Sequence, residues 1–216
     1  MKKMILAIVL ICLSFNLVSC TVANTPVNIN NEQESEKETY VEYEIPEVFV
    51  IKCFYIADEE WEFEPAYFWL FNKNGDAYEY ELPEGKNLTV EEAALEYMNG
   101  NLDEDLRLIK TISDKEGLDL CVKKLQGILN NDEFEYLIQK SEFSSNVEPT
   151  YCEEWYGLYY NENFELNKIC LDKSWPDKNI GTSDKRAGNI VSWLTVVDTE
   201  IFDKDFWVDY GFYDED

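Results

Sequence analysis

The sequence predicts an α+β domain, a mostly antiparallel sheet with helices packed on one of its faces. Three observations carry that prediction. Val48–Ala57 is an apolar, β-branched run broken only by Lys52 and bounded by Pro46 and Asp58. Two aromatic segments fold back on themselves around Asn-rich turns. Between and after them, apolar residues recur at three- and four-residue spacing behind capping residues.

Taken in order, Val48–Ala57 reads as a central strand buried on both faces. Tyr67–Phe71 and Ala77–Leu82 are the arms of a hairpin over Asn72-Lys73-Asn74-Gly75. Gly75 there supplies the left-handed residue of a type I turn plus bulge. Thr89-x-x-Glu92 is a capping box ahead of Val90, Ala93, Ala94 and Tyr97, and Gly100 ends that helix. The spacing of Leu102, Leu106, Ile109 and Ile112 predicts a second helix from about Asp103. Ser113-x-x-Glu116 is another capping box, followed by a stripe of Leu118, Cys121, Val122, Leu125 and Ile128. Residues 132–141 are read as a short helix in preference to a strand. Tyr151–Tyr160 and Phe164–Leu171 form a second hairpin around Asn161-Glu162-Asn163, and Ser174–Ser183 reads as a polar loop. Asp184 caps a last helix along Ala187, Ile190, Val191, Leu194 and Val197.

The hairpins align at an offset of 89 residues: Tyr67 falls on Tyr156, Asn72 on Asn161, Asn74 on Asn163 and Leu82 on Leu171. A duplicated hairpin would present two equivalent aromatic faces. If the second turn copies the first, Tyr160 opposes Glu165 and Cys170 opposes Trp155.

At the start of the chain, Lys2 and Lys3 precede an apolar run from Met4 to Leu13, and Leu17-Val18-Ser19-Cys20 follows. This resembles a bacterial lipoprotein signal with its lipobox. The resemblance implies that residues 1–19 are removed and that Cys20 carries the diacylglycerol anchor. It places the protein on the extracytoplasmic face of the cell membrane, touching that membrane through its lipid only. Residues 20–46 then read as a polar tether. Residues 47–216 form a single globular domain, with an acidic, aromatic tail at 198–216.

Composition narrows the chemistry. The net charge is −27, and −29 once Lys2 and Lys3 leave with the signal. A field of that sign argues against nucleic acid and favours basic partners. Histidine is absent, which removes Ser-His-Asp and Cys-His catalysis and imidazole metal sites. After Cys12 and Cys20 are accounted for, Cys53, Cys121, Cys152 and Cys170 remain as disulfide candidates. Three pairings, and four unpaired buried thiols, are all compatible with their positions. No cofactor motif occurs, and no metal site is expected. Asn72-x-Asn74 with Asp76 lacks the Gly and the terminal carboxylate of a calcium loop, so it reads as a turn.

The aromatic residues carry the leading functional expectation. Trp61, Trp69, Trp155, Tyr67 and Tyr156 are candidates for a binding face for a glycan or wall polymer, without catalysis. An acidic inhibitor or immunity-type protein acting on a basic partner is the alternative. A carboxylate-dependent glycosidase is a further one, with Glu59, Glu60, Glu62, Glu64, Glu153 and Glu154 clustered near Trp61 and Trp155.

Overall fold

The computed structural model describes residues 40–57, 62–102, 104–140, 151–175, 178–197 and 212–213. The signal segment, Cys20, Trp61, Glu59, Glu60 and most of the acidic tail lie outside the described residues. Eight strands and three helices make up the rest. The strands are β1 (Val48–Ala57), β2 (Phe63–Asn72), β3 (Asp76–Glu81), β4 (Leu106–Thr111), β5 (Tyr136–Lys140), β6 (Tyr151–Tyr160), β7 (Leu166–Ser174) and β8 (Lys178–Thr182). The helices are α1 (Val90–Met98), α2 (Lys115–Leu129) and α3 (Lys185–Val196). One sheet holds all the strands in the order β4-β3-β2-β1-β6-β7-β8-β5, and every pairing is antiparallel.

β1 lies at the centre because it is apolar on both sides. Val48, Phe49, Val50 and Ile51 are fully buried; Val48 and Ile51 feed one face and Phe49 and Val50 the other, across a register shift between Val48 and Val50. That two-sidedness corrects the expected layering: helices cover both faces of the sheet. On one face, Leu118, Cys121, Leu125 and Ile128 of α2 join Ala187, Ile190, Trp193 and Leu194 of α3 over Phe49, Val50, Phe71, Ala77 and Trp155. On the other, Val90, Ala93 and Ala94 of α1 pack on Ile51, Cys53, Phe68, Leu70, Tyr80 and Leu158. A sheet apolar on both sides needs two helical layers.

Four further expectations are corrected. Leu106–Thr111 is a strand and not a helix, paired with β3. Leu106 packs toward the α1 face and Ile109 toward the α2–α3 face, as residues an odd number apart must in a strand. Residues 136–140 form strand β5 because β8 offers them a partner, with Tyr136 opposite Thr182 and Ile138 opposite Ile180. β8 itself occupies part of the expected polar loop. Asp114, and not Ser113, caps α2, accepting from the Gly117 amide at 3.0 Å.

The capping box at Thr89 forms as expected, with both reciprocal bonds present. The segment before β1 is docked as well: Asn130 exchanges hydrogen bonds with the Val41 backbone, and Tyr160 N donates to Glu44 O at 2.8 Å. At the other end, Phe212 stacks on Trp193 with ring centroids 5.1 Å apart, and Tyr213 bonds to Asp114.

The two hairpins share one turn design. In each, the first Asn accepts from the backbone amide four residues on: Asp76 to Asn72 at 2.9 Å, Glu165 to Asn161 at 3.0 Å. Each also has a left-handed residue at the fourth position, Gly75 (φ 94°) and Phe164 (φ 59°). Asn72, weighed above as a cation ligand, spends its oxygen on this turn bond. The register of the second hairpin is one residue off the expectation. Phe71 faces Ala77 and Tyr160 faces Leu166, so Cys170 faces Tyr156 and not Trp155.

Candidate binding face on the sheet

The strand registers line up one row of residues across six strands on the α2–α3 face. In order they are Arg107, Glu79, Trp69, Lys52, Trp155 and Asp172, each directly opposite the next. With strands about 4.8 Å apart, the row is roughly 24 Å long. One step outward lies a second row: Glu81, Tyr67, Phe54, Glu153 and Ser174. One step inward, Ala77, Phe71, Val50, Gly157 and Ile169 run beneath the helices. A Cβ on Gly157 would meet Leu125 at 2.5 Å, so only glycine lets α2 sit this close to β6.

Lys52 is the centre of this face. Its side chain is only 9% exposed, and its ammonium lies 2.6 Å from Glu153. Three rings surround it, with centroids at 4.3 Å for Phe54, 5.0 Å for Trp155 and 5.2 Å for Trp69. A buried ammonium is tolerated only with such compensation from a carboxylate and aromatic faces. Tyr67 stacks on Phe54 at 4.2 Å, and Trp69 Nε1 donates to Glu79 at 3.0 Å. Arg107 holds the same Glu79 from β4. Burial keeps the Asp172 carboxyl above its ordinary range, and the neighbouring Glu153 charge adds to that.

Back to back with Lys52, the α1 face carries a second polar centre. Glu154 is 2% exposed and accepts from Tyr55 (2.8 Å), Tyr156 (2.5 Å) and Trp175 Nε1 (2.9 Å), and it pairs with Lys173. Burial alone would raise its carboxyl. The bonds from Lys173, Tyr156 and Tyr55 outweigh that and hold it below the ordinary range. Every direction of approach to this carboxylate is filled by a donor, which makes it a structural pin between β1, β6 and β7.

The expected binding residues therefore divide. Tyr67, Trp69 and Trp155 come together around Lys52, whereas Tyr156 belongs to the opposite face with Glu154. Trp155 is 1% exposed and stacks on Phe71 at 5.6 Å, so it is a core residue and leaves the expected surface. Tyr67 and Trp69 remain half-buried and reachable. Lys52, Phe54, Glu79 and Asp172 were missed. Lys52 had a signal: a lone charge inside a buried apolar strand demands a partner.

Cys53, Cys121, Cys152 and Cys170 are in the thiol form. Burial pushes the Cys53 thiol up to about 12 and the Cys170 thiol to about 11. They are poor nucleophiles at neutral pH. Cys121 is wholly buried under α2, with its thiol also raised by burial. Among the described residues, no group of three or more Cys, Asp or Glu is placed to hold a metal ion. No family model, curated protein or solved structure matches this chain.

Proposed function

We propose that this chain is a lipoprotein anchored at Cys20 on the extracytoplasmic face of the cell membrane, and that its domain binds a glycan or wall polymer without catalysis. The observation that carries the binding reading is the double row around Lys52. Half-buried Tyr67 and Trp69 offer flat apolar surface, while Glu79, Glu81, Glu153 and Asp172 offer acceptors along the same face. Sugars present that combination in reverse, with apolar C–H faces flanked by hydroxyl donors. The pairings of Glu153 with Lys52 and of Glu79 with Arg107 favour binding over hydrolysis, because they tie two of the four carboxyls on the face.

The test is retention of the unlipidated protein on insoluble wall polymer. Trp69→Ala should cut retention about tenfold or more, Trp69→Phe much less, and salt should matter little. Phe164→Ala, on an exposed and distant turn, should leave retention unchanged. If Trp69→Ala is retained like the parent, the aromatic face is not the binding site. Release of soluble sugar that is abolished by Asp172→Asn would make the domain a hydrolase instead.

A further inference from the structure

Among the described residues the sheet ends in two edge strands, β4 and β5, and they are built differently. β4 is guarded in the way edge strands usually are. It carries Arg107, paired with Glu79, and Lys110, which donates to Leu194 O at 2.5 Å. A register shift at Ala77–Tyr78 also twists it away from regular pairing. β5 is less guarded: its one charged residue, Lys140, stands at its last position, from Tyr136 to Gln139 it holds no charge and no proline, and its pairing with β8 runs without a bulge. Among the described strands, it pairs with β8 alone.

Tyr136, Leu137 and Ile138 are 50%, 45% and 67% exposed. Consecutive strand residues point to opposite faces, so the apolar surface wraps both sides of this edge. Exposed main-chain donors and acceptors beside apolar side chains are what an added strand uses: hydrogen bonds for affinity, side-chain contacts for selectivity.

Charge decides the occupant. The chain carries −27, and exposed Asp132, Glu133 and Glu135 lead directly into β5. A second copy would bring the same net charge and the same acidic approach, which disfavours self-pairing. We propose that β5 is the docking edge for an extended segment of a basic partner protein, which adds a ninth strand to the sheet. Its apolar residues would lie along Tyr136–Ile138 and its Lys or Arg residues against Asp132, Glu133 and Glu135. This edge is formed by different residues from the Lys52 face, so the two proposals stand or fall separately.

Three synthetic peptides of equal length test it against the whole unlipidated chain. One alternates Lys with Val and Thr; the second has the same residues with prolines at alternate positions; the third replaces Lys by Glu. The first should bind and slow hydrogen exchange at the amides of 136–140. The proline peptide, which cannot complete a strand, should bind at least about tenfold more weakly, and the Glu peptide not measurably. Raising salt from about 50 mM to about 500 mM should weaken the first peptide, since the steering charges are exposed. Ile138→Lys copies the guarding device of β4 at a site already 67% exposed, and should reduce binding about tenfold with the same melting temperature. Equal binding of the proline peptide would reduce the effect to bulk charge and overturn the proposal. Protection at β4 alone, or no binding of the first peptide, would do the same. Slow exchange at 136–140 in an unliganded dimer would make a second copy the occupant.

Discussion

Glu154 shows how one buried carboxylate can be worth keeping. Its burial is offset by Tyr55, Tyr156, Trp175 and Lys173, and removing its charge would leave Lys173 over the Trp175 ring without its carboxylate. Glu154→Gln should therefore cost about 2–4 kcal/mol, read by urea unfolding at pH 7. The sign of its pH dependence follows from the lowered folded-state value. Its contribution is complete above the unfolded carboxylate range and is lost as pH falls through the folded value. Parent and Glu154→Gln should thus converge in stability in acid. The thiols give a second check at this scale. In denaturant the chain from Cys20 onward, with Cys20 replaced by Ser, should titrate four thiols. In the folded state Cys53 and Cys170 should alkylate far more slowly than a free thiol at pH 8.

Among the elements, the paired turns invite comparison because they put different residues, Gly75 and Phe164, at the equivalent left-handed position. Gly75 takes φ 94° without cost, and a Cβ there would lie 2.3 Å from Ile112 O, while the Ile112 N–H donates to Gly75 O at 2.7 Å. Gly75→Ala should destabilise by about 2–4 kcal/mol, from strain and clash together. Phe164 accepts the same left-handed conformation with a bulky side chain that is 78% exposed. Phe164→Asn should stabilise by about 0.5–1 kcal/mol, measurable as a higher denaturation midpoint. The edge strands explain why two helices were expected where strands formed. β4 and β5 are short and carry mixed polar residues, so their local pattern is as compatible with a helical stripe as with a strand. A neighbouring strand decides the matter, and that neighbour is β3 in one case and β8 in the other.

For the molecule as a whole, self-repulsion is the standing cost of a −27 charge. Three basic groups are committed to interior pairs, Lys52–Glu153, Lys173–Glu154 and Arg186–Asp184, and with 45 acids against 18 Lys and Arg much of the acidic surface stays uncompensated. Screening should relieve that repulsion more than it weakens the buried pairs. Thermal melts at neutral pH should accordingly show a melting temperature rising by a few °C between about 20 mM and about 300 mM NaCl. A falling melting temperature would mean that surface attractions outweigh the repulsion.

Local chemistry alone determined much of this fold. The length of β1, the first hairpin and its turn, the Thr89 cap and the α2 stripe depend on neighbours within a few residues, where turn and capping physics is strong. The choice between strand and helix at 106–111 and 136–140 depended on which strand lay alongside. The layering depended on both faces of β1 finding separate helices. The candidate site divides in the same way. Tyr67 and Trp69 stood out as aromatic residues, but only strand register could set Lys52 between Trp69 and Trp155, and only packing could bury Trp155 against Phe71. Register and packing are sums over residues far apart in the chain, and a residue's own neighbours do not encode them.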